Sequence, residues 1–235
     1  MKLSFDLHLH SCLSPCGGED NTPANLAAMC ALAGLDVVAL TDHNTCGNCR
    51  SFAAAAEANG LLAIPGMELT TAEEIHTVLL FPDCDRAEEC SALVRTKLPP
   101  IQNRTDLFGE QILMDSEDGV LGSETAFLAG ATSVGIYDVK ALAESFGAFV
   151  FPAHIDRPSF SLISTLGLWD PFMGFSLAEL SSNCPPGFTD RPDLKGVRFI
   201  TDCDAHYLDQ IPDARQWMDV PDRTVSDILA WLKQP

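Results

Sequence analysis

Short apolar runs of strand length recur along the chain, and most of them end on a cluster of polar residues. Apolar and polar side chains alternate over residues 3–9, which predicts a strand. Thr22-Pro23 then opens a helix, the hydroxyl as N-cap and the proline at the first helical position, and Gly34 stops it after residue 33. Residues 36–40, Asp-Val-Val-Ala-Leu, are almost wholly apolar, the pattern of a strand covered on both faces in a parallel sheet. The alanine-rich stretch 51–59 predicts a second helix closed by Gly60, and 61–65 and 77–81 predict two more strands. Farther on, 139–146 predicts a helix ended by Gly147, 148–151 and 197–200 predict strands, and 225–233 an amphipathic helix.

Residues 99–131 break this α/β rhythm. Within them, 111–121 predicts a β-hairpin in which Asp118-Gly119 supplies a positive-φ turn. The segment is expected to be an insertion or lid over the mouth of a single domain spanning 1–235.

Composition narrows the function classes. Fourteen basic against 33 acidic side chains give a formal charge of −19. That opposes binding to a polyanion unless cations reverse the local field, so nucleic acid is a disfavoured partner. No run approaches the roughly 18 apolar residues of a membrane span, and the apolar stretch before Asp6 is too short for a signal peptide. A cytoplasmic protein with no membrane partner is expected. Nine cysteines, an odd number, then fit reduced thiols better than a disulfide framework.

The polar clusters hold all six histidines. They are Asp6-Leu7-His8-Leu9-His10-Ser11, Thr41-Asp42-His43-Asn44, Glu68 followed by His76, Pro152-Ala153-His154-Ile155-Asp156-Arg157, and Asp202-Cys203-Asp204-Ala205-His206. Imidazoles and carboxylates gathered at strand ends make the composition of a multi-metal site. On a strand, His8 and His10 point to the same side and can grip one ion, and Asp204 and His206 share that spacing. Glu68 is the natural bridging ligand, because two carboxylate oxygens can hold two cations at the roughly 3.5–4 Å spacing of hydrolytic clusters. Asp42 is expected either to accept a ring N–H and fix a tautomer or to cap the helix that follows. Asp6 could serve His8 or His10 in the first way. Cys12, Cys16, Cys46 and Cys49 lie beside these clusters, and four thiolates could form a separate zinc or iron–sulfur site.

Taken in order, Asp-Leu-His-Leu-His-Ser, Thr-Asp-His-Asn, Gly66-Met67-Glu68 with the later His76, Pro-Ala-His and Asp-Ala-His resemble the PHP family, the polymerase and histidinol phosphatase domain, from residue 6 to residue 206. The resemblance implies a distorted (β/α)7, TIM-like barrel with the hairpin as a small insertion. It also implies two or three divalent metal ions, zinc, manganese or iron, at the strand ends. By position, one ion would sit on His8, His10, Glu68 and Asp204, and a second on Glu68, His76 and His154. A third would use His43 and His206 with a ligand from the loop after His10. That loop carries Cys16 where many relatives have histidine or aspartate; a thiolate there favours zinc or iron over manganese, and Glu19 or Asp20 is the alternative. Arg157 would grip a phosphate with its planar fork, its other reading being a surface ion pair with Asp156 or another acid.

The activity implied is hydrolysis of a small soluble phosphate ester, a monoester before a diester, by a hydroxide bridging the ions, with Arg157 and Asp42 as the catalytic residues. Three readings compete with it: a nuclease acting on nucleic-acid ends, attack on a carbon centre, and a non-catalytic module that metal merely stabilises.

Overall fold

The structure, a computed structural model, describes residues 1–234. Strand β1 (Lys2–Leu9) is followed by α1 (Pro23–Leu32), β2 (Val37–Leu40), α2 (Cys49–Ala58), β3 (Leu62–Thr70), β4 (His76–Leu80) and α3 (Cys84–Arg95). A single helical turn, α4 (Thr105–Phe108), and the hairpin β5 (Ile112–Met114) and β6 (Val120–Ser123) come next. The chain continues through α5 (Val139–Ser145), β7 (Phe149–Pro152), α6 (Leu162–Leu166), β8 (Leu177–Glu179), β9 (Arg198–Ile200), β10 (Trp217–Asp219) and α7 (Val225–Leu232).

Six strands hydrogen-bond in the order β10-β1-β2-β3-β4-β7. β1, β2 and β3 are parallel, whereas β4 runs against both β3 and β7. β8 and β9 form a separate parallel pair of three residues each. Among the described residues no ladder joins β8 to β7 or β9 to β1. Single contacts cross those two seams instead. On one side, Ile155 N–H donates to the Glu179 carbonyl (2.9 Å) and Ser181 N–H to the Asp156 carboxylate (2.7 Å). On the other, His10 N–H donates to the Ala205 carbonyl (3.0 Å), Leu7 N–H to Asp202 (2.9 Å) and Cys203 N–H to Asp6 (3.0 Å). The expected (β/α)7 barrel is thus found as a mixed α/β fold with a curled half-barrel sheet of six strands, the β8–β9 pair standing beside it without a ladder to either edge.

Inside the curl, Phe5, Leu7, Val37, Ala39, Ile64, Val78, Phe151, Leu177 and Ile200 meet, and Ile228, Leu229 and Leu232 of α7 pack against them. Helices α1, α2, α3 and α5 cover the outer face over Val38, Leu40, Leu79 and Val150. Each large apolar side chain removed from water here, Phe52 and Phe81 among them, contributes roughly 1.5–3 kcal/mol. Leu9 belongs to the outer layer although it shares the parity of Phe5 and Leu7. The register irregularity between Asp6 and Leu9 accounts for the switch, since one extra residue exchanges the two faces of a strand. It also turns His8 and His10 inward.

The sequence pattern ends a strand at residue 65, yet β3 runs on through Pro65-Gly66 to Thr70, so Glu68 lies within it. Gly66 allows this: a Cβ there would stand 2.8 Å from Thr41 Cγ2 and 3.0 Å from the Leu40 carbonyl oxygen of the neighbouring strand. The predicted hairpin is present, and Asp118 supplies its left-handed residue (φ 64°). Its carboxylate also meets the start of α1, accepting from Thr22 Oγ1 (2.5 Å) and Ala24 N–H (2.9 Å).

Candidate metal centre

Each cluster reaches the same end of the curl by its own route. β1 delivers His8 and His10, the turn after β2 delivers His43, β3 delivers Glu68, and the turns after β7 and β9 deliver His154 and Asp204 with His206. β4 is reversed, so its first residue, His76, lies at that end too. His154 (φ 29°) and Asp204 (φ 51°) both sit in the left-handed region, which costs a residue with a side chain roughly 1–3 kcal/mol and clusters at functional sites.

Glu68 stands at the centre. Its Oε1 lies 2.8 Å from His76 Nδ1, 3.1 Å from His154 Nε2 and 3.3 Å from His8 Nε2. Its Oε2 lies 3.0 Å from His43 Nδ1 and 3.2 Å from His10 Nε2. Asp204 Oδ1 is 3.1 Å from His10 Nε2 and 3.3 Å from His8 Nε2.

Hydrogen-bond partners fix the ring tautomers. His8 Nδ1 lies 2.7 Å from Oε2 of Glu179, a fully buried acceptor, so that nitrogen carries the proton and Nε2 of the neutral ring presents a lone pair. His10 Nδ1 lies 2.9 Å from Ser14 Oγ, whose own proton goes to Asp42 Oδ1 at 2.7 Å. The serine oxygen therefore accepts from Nδ1, and His10 Nε2 is likewise a lone pair. These two nitrogens stand 3.2 Å apart, facing the same carboxylate oxygens. So dense a set of electron pairs calls for a cation or protons among them. His43 Nδ1, Glu68 Oε2 and Asp204 Oδ1 are also buried with no aligned hydrogen-bond partner.

Three sets of donor atoms lie within 4.8 Å of one another: His8, His10, Glu68 and Asp204; His43, Glu68 and His76; His10, His43 and His206. Nitrogen and oxygen donors converging in this way, with Glu68 common to two sets, fit a group of divalent ions. The grouping departs from the one the family resemblance implies. His43 stands with Glu68 and His76, and His10 rather than Cys16 completes the third set. Cys16 is exposed at the rim of the cup.

Burial disfavours charge on the imidazoles of His8, His10, His43, His76 and His206, and the carboxylates reverse it for the first three. The charges of Glu179, Asp204 and Glu68 carry His8 well above its ordinary value, and Glu68 and Asp204 carry His10 to about 9. Glu68 and the Cys16 thiol do the same for His43, to about 9. For His76 and His206 burial wins, leaving them at about 4 and about 3. Glu68 and Asp204 are buried as well, yet the imidazoles hold both well below the usual carboxylate range. The signs give a prediction for protein stripped of metal. His10 and His43 stabilise the fold fully below the ordinary 6.5 and lose that contribution as pH rises to about 9. His76 and His206 withdraw stability as pH falls from 6.5 toward 4 and 3. Asp6, pushed up to about 7 by burial, also withdraws stability as pH rises from 3.8 to about 7. The melting temperature in chelator is therefore expected to fall between pH 6.5 and 9, and one that holds level or climbs over that range would contradict these protonation states.

Other predicted residues take different partners. Asp42 accepts from Ser11 N–H (2.7 Å), Ser11 Oγ (2.6 Å) and Ser14 Oγ, not from a ring nitrogen, so it acts on His10 through Ser14. Nor does it cap α2, whose N-cap is Asn48. Asp6 bonds the main-chain N–H of His8 (3.3 Å) and Cys203 in place of a ring. Arg157 pairs with Asp204, Nη1 to Oδ2 at 2.5 Å, rather than with Asp156. Cys46 and Cys49 both point at the Gly66 carbonyl (3.2 and 3.3 Å), and Cys12 points at Ile112 and Met114, so the four-thiolate site is not assembled. Glu179 and Ser14 went unpredicted. The only trace of Glu179 in the sequence is a lone carboxylate inside the apolar run Leu177-Ala178-Glu179-Leu180.

Two cavities meet over the cluster. One of about 280 Å³ is lined by His76, His154, Arg157, Ser159, Phe160 and Ala129, among others, and Ala129 is its one lining residue from the 99–131 segment. The other, about 420 Å³, is lined by Cys16, Arg157, Cys203, Tyr207 and Gln210 beside Asp204 and His206.

Residues 6–138 match the PHP domain family. No curated protein matches the chain. Among solved structures the fold is similar to a lesion-specific endonuclease from Pyrococcus furiosus, at 18% identity and a TM-score of 0.70, over 97% of this chain and 55% of that one. It is also similar to a protein assigned as a metal-dependent phosphoesterase from Bifidobacterium adolescentis, at 19% identity and 0.61, over 99% and 97% of the two chains. An amidohydrolase from Chromobacterium violaceum with bound sulfate is similar at 20% identity and 0.63, over 97% and 96%. The chain spans a little over half the length of the endonuclease.

Proposed function

The chain belongs to the PHP domain family, and from that premise we propose that it is a metal-dependent hydrolase acting on a small phosphate ester, a monoester in preference to a diester. The convergence of five imidazoles with Glu68 and Asp204 in three donor sets, with His154 joining only through its 3.1 Å contact to Glu68 Oε1 and in none of the sets, carries this reading. The residues that would hold the ions are His8, His10, His43, His76, His154, His206, Glu68 and Asp204, with Cys16 at the rim. Divalent cations held there would supply Lewis acidity, acidifying water and offsetting charge on a phosphoryl group.

The chain's own residues do the rest. Glu179 and the Asp42–Ser14 pair hold the His8 and His10 rings with their lone pairs inward. Arg157, its side chain 40% exposed at the meeting of both cavities, binds and orients the phosphate. Arg157→Ala is expected to raise KM about tenfold or more with kcat little changed, the loss of a hydrogen bond to a charged group. Unchanged KM and kcat would return Arg157 to a purely structural pairing with Asp204. Turnover of p-nitrophenyl phosphate with added manganese or zinc, absent from chelator-treated protein, tests the reading as a whole.

A nuclease reading has the fold of the Pyrococcus furiosus endonuclease in its favour. Charge weighs against it. Arg157 is the one lysine or arginine lining either cavity, in a chain of net charge −19, so a polyanion finds no cationic track. Steeply salt-dependent binding to an oligonucleotide would reverse the preference.

A further inference from the structure

Phe160 is an unusual residue for its position. It carries a bulky side chain in the left-handed region (φ 53°), and the residue is 47% exposed and belongs to none of the apolar clusters of the core. Strain and exposure both count against it. What the conformation achieves is local. The Phe160 carbonyl accepts the His76 N–H at 3.0 Å, and the ring stacks on the His76 imidazole with centroids 4.8 Å apart and planes 24° from parallel. One face of the phenyl ring is thereby taken by His76, while the ring also lines the 280 Å³ cavity. Ser161 holds the same loop in place, donating to the Arg157 carbonyl at 2.6 Å and capping α6. A fixed arc thus brings a guanidinium and, three residues on, an aromatic residue to the lining of one cavity.

Resting on the phosphoesterase reading, we propose that the substrate's alcohol part is a planar aromatic group that stacks on Phe160 while Arg157 holds the phosphate. The cavity has the room, since about 150 Å³ suffices for a benzene ring and this one offers about 280 Å³. An aliphatic alcohol would fill the same space without the offset-stacked ring contact that makes aromatic pairs favourable beyond their area.

Phenylphosphonate and methylphosphonate, which present the same charged head and cannot be hydrolysed as esters, separate the two cases. Calorimetric titration of manganese-loaded protein is expected to show phenylphosphonate bound about tenfold more tightly, in line with the worth of one stacked ring. Phe160→Ala should bring that ratio close to one, and Phe160→Trp, which keeps a ring at this position, should restore it, each ratio being taken at the metal content measured for that variant. Equal affinities in the wild-type protein, or a preference that survives Phe160→Ala, would overturn the stacking proposal alone. If neither phosphonate binds and p-nitrophenyl phosphate is not hydrolysed, the phosphoesterase reading fails and takes this one with it.

Discussion

Replacing Glu68 by glutamine is expected to abolish hydrolysis and to strip metal from the protein. The substitution keeps the shape of the side chain and removes its charge, which isolates the chemistry from the packing. Glu68 is 1% exposed and places two oxygens within 3.3 Å of nitrogens on five histidines. A glutamine offers one oxygen and one NH2, so whichever way it lies, one end of the cup loses its anionic ligand and gains a donor. Losing a shared carboxylate between two donor sets removes an interaction that both depend on. Metal content by elemental analysis and turnover of p-nitrophenyl phosphate are the paired measurements. A variant that keeps wild-type turnover would remove Glu68 from the centre of the scheme.

Glu179→Gln is expected to weaken metal binding by about 10–100-fold without touching any atom of the donor sets. Glu179 takes two donors at once, His8 Nδ1 on Oε2 (2.7 Å) and the His154 main-chain N–H on Oε1 (3.2 Å). A glutamine can satisfy only one of them. If its NH2 faces His8, that ring must move its proton to Nε2, where the lone pair is needed. If it faces His154, the left-handed turn that aims that ring loses its anchor. Competition against a chromophoric zinc chelator reads the affinity directly. An affinity within twofold of wild type would leave Glu179 as buried packing and nothing more.

Much of this centre was legible in the sequence because its side chains sit where apolar runs stop. His8, His10, His43, His154, Asp204 and His206 lie at or just beyond strand ends, and a run of β-branched and aliphatic residues marks its own end. Glu68 was placed past a strand because Pro65-Gly66 reads as a break, whereas in the fold the glycine permits close passage beside β2. The helpers were harder to see. Glu179 lies on a strand of three residues, too short for periodicity to register, and the work of Asp42 passes through Ser14, a hydroxyl of no particular spacing. The incomplete closure of the sheet depends on strand length and on carboxylates standing in for ladder partners, neither of which alternation encodes.

Those interruptions of the sheet have a consequence for any substitution nearby. Glu179 receives the Ile155 and His154 amides across one gap, and the Asp6 and Asp202 carboxylates accept the Cys203 and Leu7 amides across the other, a few residues from His8 and Asp204. The seams of the wall and the floor of the reaction vessel are built from the same short segments of polypeptide. Altered chemistry and a loosened enclosure will therefore arrive together when those segments are changed, so catalytic loss there is interpretable only beside a measure of how firmly the last two staves stay seated.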